Sequence, residues 1–348
     1  RLVEVDGPLD ADAPALANET LRTWLVDTAT PSVSRDGPKL SFPRQRYGTL
    51  CAAAPGAAPV AGGGTLPTFF VPGEDGVLRW VDAGTGVITR RVALAPPLLV
   101  YESVVDELGV LWALARVPAT GAVVVAQVDV TTGRVVTHNT SDPGQFEPCR
   151  SVLVPGPSPR FAWLGAPGEG AFSLYLFQTD TLQTTVWPMP PEPWPTYDYV
   201  AQLVAVRIGE PAPAAQQPWS LVALSGNTRT NNITFNTIDV NTGVWSAPLL
   251  VVPGDLASGN AAVGDDAGSV IAIIGGDVDV AGGGGGGGDG GVGGVGQGTF
   301  GVLTADLMGG TWTVVNASLP ASPSSTFFAL RLEEGERAGA GAATATAA

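Results

Sequence analysis

Leu78-Arg79-Trp80-Val81-Asp82-Ala83-Gly84-Thr85-Gly86-Val87-Ile88 reads as a strand ending in Asp, a turn closed by Thr-Gly, and the start of a second strand. The chemistry of such a turn is local. An Asp side chain accepts hydrogen bonds from backbone N–H groups two and three residues on, and the Gly supplies the positive φ that closes the hairpin. The pattern recurs as Ala126-Gln127-Val128-Asp129-Val130-Thr131-Thr132-Gly133-Arg134-Val135-Val136, and again as Asn236-Thr237-Ile238-Asp239-Val240-Asn241-Thr242-Gly243-Val244-Trp245. Weaker copies centre on Asp27, Asp180 and Asp306.

These six Asp residues are separated by 55, 47, 51, 59 and 67 positions. The longest step contains the glycine run Gly282–Gly288 and its Gly-rich continuation, and without that insert it falls near the others. A period of about 50 residues, holding about four short strands each, is the signature of a propeller blade. Between the turns the chain alternates short Val-, Leu-, Thr-, Phe- and Trp-rich runs with Gly, Pro, Asp and Asn, and helix signals are almost absent. The expected fold is all-β: a single β-propeller of six blades, with seven as the alternative. The C-terminal strand Thr326-Phe327-Phe328-Ala329-Leu330-Arg331-Leu332 lacks a following unit, and the Asp27 unit lacks a preceding apolar strand. The former is expected to complete the first blade and remove two exposed sheet edges. The expected organisation is an N-terminal extension over 1–17, the propeller over 18–334 with a flexible insert at about 281–298, and a flexible tail over 335–348.

Within this frame the stretch Thr68-Phe69-Phe70-Val71-Pro72-Gly73-Glu74-Asp75-Gly76, continuing to Gly86, resembles a repeat of the quinoprotein-like (PQQ-repeat) propellers. The Asp-x-x-Thr-Gly copies are also similar to kelch-type blades. The resemblance is one of repeat architecture, which serves enzymes and scaffolds alike. A quinoprotein enzyme would need a cation site and an acidic base in the central channel. The sequence offers no residues to assign to them.

Composition narrows the partners. The chain has 348 residues, 32 acidic against 17 basic, and a formal net charge of −15. That disfavours nucleic acid, whose phosphates need clustered Lys and Arg, and anionic membrane surfaces too. No apolar run approaches the length of a membrane helix, so no membrane insertion is expected. The chain begins at Arg1 and is read as a mature product with any signal segment removed.

Four sites match Asn-x-Ser/Thr: Asn18, Asn139, Asn232 and Asn316. With nine Asn in the chain, chance predicts about one such site, so a secreted, N-glycosylated protein is expected. Asn139 and Asn316 follow their turn Asp by ten residues, whereas Asn18 and Asn232 precede theirs by nine and seven. In a meander those positions share one edge, opposite the Asp turns. Cys51 and Cys149 fit an oxidising compartment. Paired, they would close a loop of about 100 residues and contribute roughly 4–5 kcal/mol; unpaired, they are buried thiols.

No catalytic or metal-binding constellation emerges. His138 is the only histidine and is expected to be a solvated residue at an outer edge, which leaves no triad or histidine-rich metal site. The glycine run lacks the Lys-Ser/Thr of a phosphate loop. The acidic groups Asp6/Asp10/Asp12, Asp265/Asp266 and Asp277/Asp279 match no calcium loop. The nine tryptophans are read as packing between blades, with a sugar-stacking platform as the alternative. Trp187-Pro188-Met189-Pro190-Pro191-Glu192-Pro193-Trp194-Pro195 is a stiff loop or a docking strip.

The reading is a non-enzymatic extracellular structural or interaction glycoprotein, in the form of a repeating subunit of a surface filament or matrix. Its expected partners are itself or other extracellular glycoproteins, and it carries no cofactor besides N-linked glycans. Arg1-Leu2-Val3-Glu4-Val5 is the candidate for strand addition to a neighbour. The alternatives are a carbohydrate-binding lectin-like propeller and a secreted propeller enzyme acting on sugars or alcohols.

Overall fold

The computed structural model describes residues 2–6, 18–27, 32–35, 40–43, 51–52, 68–73, 75–82, 87–106, 110–139, 149–155, 159–165, 173–188, 199–208, 219–227, 230, 232–253, 255–256, 262–264, 268–275, 300–317 and 326–329. No helix occurs among them, and their strands form six antiparallel sheets.

The simplest sheets are four-stranded meanders. The second holds β5 (Cys51–Ala52), β6 (Thr68–Pro72), β7 (Val77–Asp82) and β8 (Ile88–Ala93). The third holds β9 (Leu99–Val105), β10 (Val110–Arg116), β11 (Val123–Asp129) and β12 (Val135–Asn139). The fourth holds β13 (Cys149–Val154), β14 (Arg160–Gly165), β15 (Ser173–Gln178) and β16 (Gln183–Pro188). The fifth holds β17 (Tyr199–Arg207), β18 (Trp219–Asn227), β19 (Asn232–Ile238) and β20 (Trp245–Pro253). In the sixth, β21 (Asp255–Leu256) and β22 (Ala262–Gly264) both pair β23 (Ser269–Gly275), followed by β24 (Phe300–Asp306) and β25 (Thr311–Ala317).

The first sheet joins the first and last described strands. β26 (Thr326–Ala329) pairs β1 (Leu2–Asp6), β1 pairs β2 (Asn18–Asp27), and β2 pairs β3 (Ser32–Arg35) and β4 (Leu40–Pro43). The C-terminal strand therefore completes the first blade, as expected. The residues before it behave differently from the expectation. β1 is a preceding apolar strand for the Asp27 unit, and both its edges are taken: Val3 lies opposite Thr23 on one side and Phe328 on the other. Strand addition through Arg1–Val5 is thereby contradicted.

The sheets pack in sequence order. β5 meets β9, β9 meets β13, β13 meets β17, β17 meets β22, and β22 meets β26, so these are the inner strands of a β-propeller. The amino-acid pattern follows from that packing. A middle strand is covered on both faces by neighbouring sheets and reads as a continuous apolar run, as in β10 (VLWALAR), where Leu111 through Ala115 are all buried. An outermost strand has one wet face and alternates, as in β8 (ITRRVA). Four described seams each have their own core. Leu78, Trp80 and Leu98 pack with Leu111 and Val128 between the second and third sheets. Trp112, Leu114 and Val125 meet Phe161, Trp163, Tyr175 and Phe177 between the third and fourth. Leu164 and Leu176 meet Leu203 and Leu221 at the next seam. Val222, Leu224 and Phe235 meet Val270 and Leu303 between the fifth and sixth. The Gly-rich insert, the C-terminal tail and the Pro-rich stretch beyond Pro188 lie outside the described residues.

Candidate functional site

The repeated Asp turns join the third strand of each sheet to the outermost one. Asp129 Oδ1 accepts from Thr131 N at 2.8 Å and Thr132 N at 3.2 Å, while Oδ2 accepts from the Thr132 hydroxyl at 2.7 Å. Asp239 Oδ1 accepts from Asn241 N at 2.8 Å, and Asp306 Oδ1 from Met308 N and Gly309 N. Gly133 and Gly243 close their turns at φ 74° and 70°. The Thr132 hydroxyl, with the Thr131 N–H, holds the Asp129 carboxyl below its ordinary range. The Asn241 N–H, with the Thr242 side chain, does the same for Asp239.

The turns also dock on the preceding sheet, which the sequence did not reveal. Ala95 N donates to Gly133 O at 2.9 Å, Val135 N to Ala95 O at 3.0 Å, and Arg90 Nη2 to Thr131 O at 2.7 Å. Between the fourth and fifth sheets, Arg160 donates to Val240 O at 2.9 Å and Asn241 Oδ1 at 2.8 Å, and Gly243 lies against the Trp187 ring. A glycine is required at 133 and 243 twice over, for its φ and for this close approach. The motif is structural, built to seat one blade on the next.

The sequon asparagines lie at strand ends. Asn18 opens β2 and Asn232 opens β19, whereas Asn139 closes β12 and Asn316 lies one residue before the end of β25. The registers Asn232↔Pro253, Asn139↔Val124 and Asn316↔Gly301 place each at the end of its sheet remote from the Asp turn. Cys51 is on β5 and Cys149 on β13, the inner strands of the second and fourth sheets, with β9 of the third sheet between them.

His138 departs from its expected place in solvent. Its ring is half-buried, with its centroid 6.2 Å from that of Trp112 and 5.7 Å from that of Phe177. Nε2 is buried without a hydrogen-bond partner, and burial pulls the imidazole below its ordinary 6.5. Position on an edge strand suggested exposure; the aromatic side chain of the next sheet decides otherwise.

The tryptophans are used mainly in packing. Trp80, Trp112 and Trp163 are buried, Trp163 stacks on Tyr175 at 5.3 Å, and Trp112 Nε1 donates to the buried Asp106 at 2.9 Å. Arg90 lies over Trp80, and Arg207 over Trp219. Among the described residues no group of three His, Cys, Asp or Glu side chains is placed to hold a metal, and no helix is long and apolar enough to cross a membrane.

The outer edge of the fifth sheet is an apolar exposed feature among the described residues. In β20 (WSAPLLVVP) the residues Ala247, Leu249, Val251 and Pro253 face outward, with Leu249 39% and Val251 47% exposed. No charged residue occurs from Val240 to Gly254. The corresponding edge β8 presents Arg91 instead. This signal was legible in the sequence as a charge-free run in an acidic chain.

No protein-family model matches the chain, and no curated protein matches it. It is similar in structure to the β-propeller domain of Cps50 (Swd1) from Myceliophteria thermophila, at 9% identity over 87% of this chain and 83% of that one, with a TM-score of 0.43. It is also similar to a putative 6-phosphogluconolactonase from Bacteroides uniformis, at 9% identity, 90% and 81% coverage and a TM-score of 0.41. A third is the quinohemoprotein alcohol dehydrogenase from Comamonas testosteroni, at 12% identity, 87% and 59% coverage and a TM-score of 0.39. The propeller assignment rests on the chain's own sheets and seams.

Proposed function

We propose that this chain is a non-enzymatic extracellular glycoprotein that associates with copies of itself as the repeating subunit of a surface filament or matrix. The observation that carries the reading is the exposed, charge-free edge strand β20. Edge strands of monomeric proteins are commonly blunted by charge, and an apolar edge is a ready template for pairing. A chain of net charge −15 repels its copies over most of its surface, so a neutral strip is where two copies meet at least cost. Antiparallel pairing about Leu250 sets Leu249 opposite Val251 of the second copy. Such a two-fold contact closes a pair, and an extended assembly needs a second, different contact. Glycans on Asn18, Asn139, Asn232 and Asn316 would cover the ends of the sheets remote from the Asp turns and leave the turn ends bare. The use of Trp80, Trp112 and Trp163 in packing removes them from a sugar-stacking platform and weakens the lectin-like alternative.

The test is to secrete the full chain from a eukaryotic host and measure its sedimentation and its images by electron microscopy, beside a Leu249→Glu/Val251→Glu variant. Concentration-dependent association that the paired charges abolish supports the reading. A monomer at all concentrations, or association indifferent to the variant, overturns it. Intact mass before and after glycan removal tests the four sequons separately, and a mass free of glycan would overturn the glycoprotein part.

A further inference from the structure

We propose that His138 makes the seam between the third and fourth sheets acid-sensitive, so that protonation of this one side chain loosens the outer strand β12 from the neighbouring sheet. The His138 ring sits among aromatic neighbours. From β10 it meets Trp112, its cross-strand neighbour on β11 is Val125, and from β15 of the next sheet it meets Phe177. None of these titrates. Tyr175, stacked on Trp163, belongs to the same cluster. The acidic group beyond Trp112 is Asp106, and its two carboxylate oxygens accept from Val110 N at 2.8 Å and Trp112 Nε1 at 2.9 Å. Among the described residues Nε2 has no hydrogen-bond partner.

At neutral pH the uncharged imidazole fills this place as a third aromatic ring. Its protonated form puts a charged N–H where burial has removed water and no acceptor among the described residues replaces it. β12 is an edge strand, paired with β11 on one side only, and His138 ties its far end to the fourth sheet. The sign follows directly. The folded state holds the neutral form, so between the folded value and 6.5 the unfolded chain binds more protons. Stability is complete above 6.5 and falls as the pH drops from there toward the folded value. Ring faces attract cations, and an imidazolium stabilised by Trp112 and Phe177 would reverse this sign. The two possibilities are therefore distinguishable.

Because His138 is the only histidine, one labelled imidazole signal reports it without assignment. The experiment titrates ¹³C-histidine-labelled full-length chain by NMR and compares thermal unfolding with His138→Phe from about pH 7.5 to about pH 5.5. The expected results are a midpoint below 6.5 and a wild-type melting temperature that falls with acid relative to the variant. Faster amide exchange at 135–139 in wild type than in His138→Phe, at matched acidic pH, locates the effect on β12. A midpoint at or above 6.5, or parallel melting curves, overturns the proposal. If His138→Phe fails to fold, the NMR midpoint alone decides.

Discussion

Replacing Gly133 with Ala separates two roles that the repeated turn combines. Gly133 has φ 74°, and a methyl there would fall onto the Ala93 carbonyl oxygen and within 2.7 Å of Val92 Cγ1. Gly310 occupies a similar turn at φ 64°, but a methyl there meets nothing within 4 Å. The left-handed conformation costs an L-residue roughly 1–2 kcal/mol, offset by roughly 0.5 kcal/mol because Ala has fewer unfolded states to lose. Gly310→Ala should therefore cost about 1 kcal/mol. Gly133→Ala carries the same cost plus overpacking against backbone that no side-chain rotation relieves, about 1–3 kcal/mol. It also strains the bonds Ala95 N to Gly133 O and Val135 N to Ala95 O, each contributing about 1 kcal/mol. The expected total is about 3–5 kcal/mol, and at about 1–2 °C per kcal/mol for a chain of this size the two melting temperatures should differ by several degrees. Thermal unfolding followed by near-ultraviolet circular dichroism measures both variants. Equal losses would refute the idea that the turn seats one sheet on the next.

Other seams give further expectations. Asp106→Ala leaves Trp112 Nε1 and Val110 N without their acceptor and should cost about 2–3 kcal/mol, whereas Asp106→Asn keeps one acceptor and should lose less in the same melt. Arg160→Met retains the stem but loses the bonds to Val240 O and Asn241 Oδ1; about 1 kcal/mol is expected, and a double-mutant cycle with Asn241→Ala should show coupling. The carboxyls of Asp129 and Asp239 sit below 3.8 when folded, so what they contribute is present above that value and lost as the pH falls through the folded ones. Asp129→Asn/Asp239→Asn should accordingly lose less melting temperature than wild type on acidification from about pH 5 to about pH 2.5.

The sequence alone determined the architecture, because its signals are local. An Asp that bonds its own turn, a Gly that takes positive φ and a strand that alternates or runs wholly apolar each announce themselves within ten residues. Repeated at a steady spacing, they specify blades, as Asp129-Val130-Thr131-Thr132-Gly133 and its copy at Asp239 illustrate. The unmatched strand at Thr326 likewise announced that it completes the first blade. What the sequence left open depends on residues far apart in the chain. Whether Leu2–Asp6 is a free arm or a paired strand depends on Phe328 and Thr23. Whether His138 meets water or aromatic rings depends on Phe177, on the next sheet. The fold places Cys51 and Cys149 on inner strands of non-adjacent sheets, a fact of ring order that no spacing encodes. Local hydrogen bonding is written in neighbouring residues, whereas burial is written only when sheets meet, and the tertiary structure alone decides which edge and which ring remain exposed.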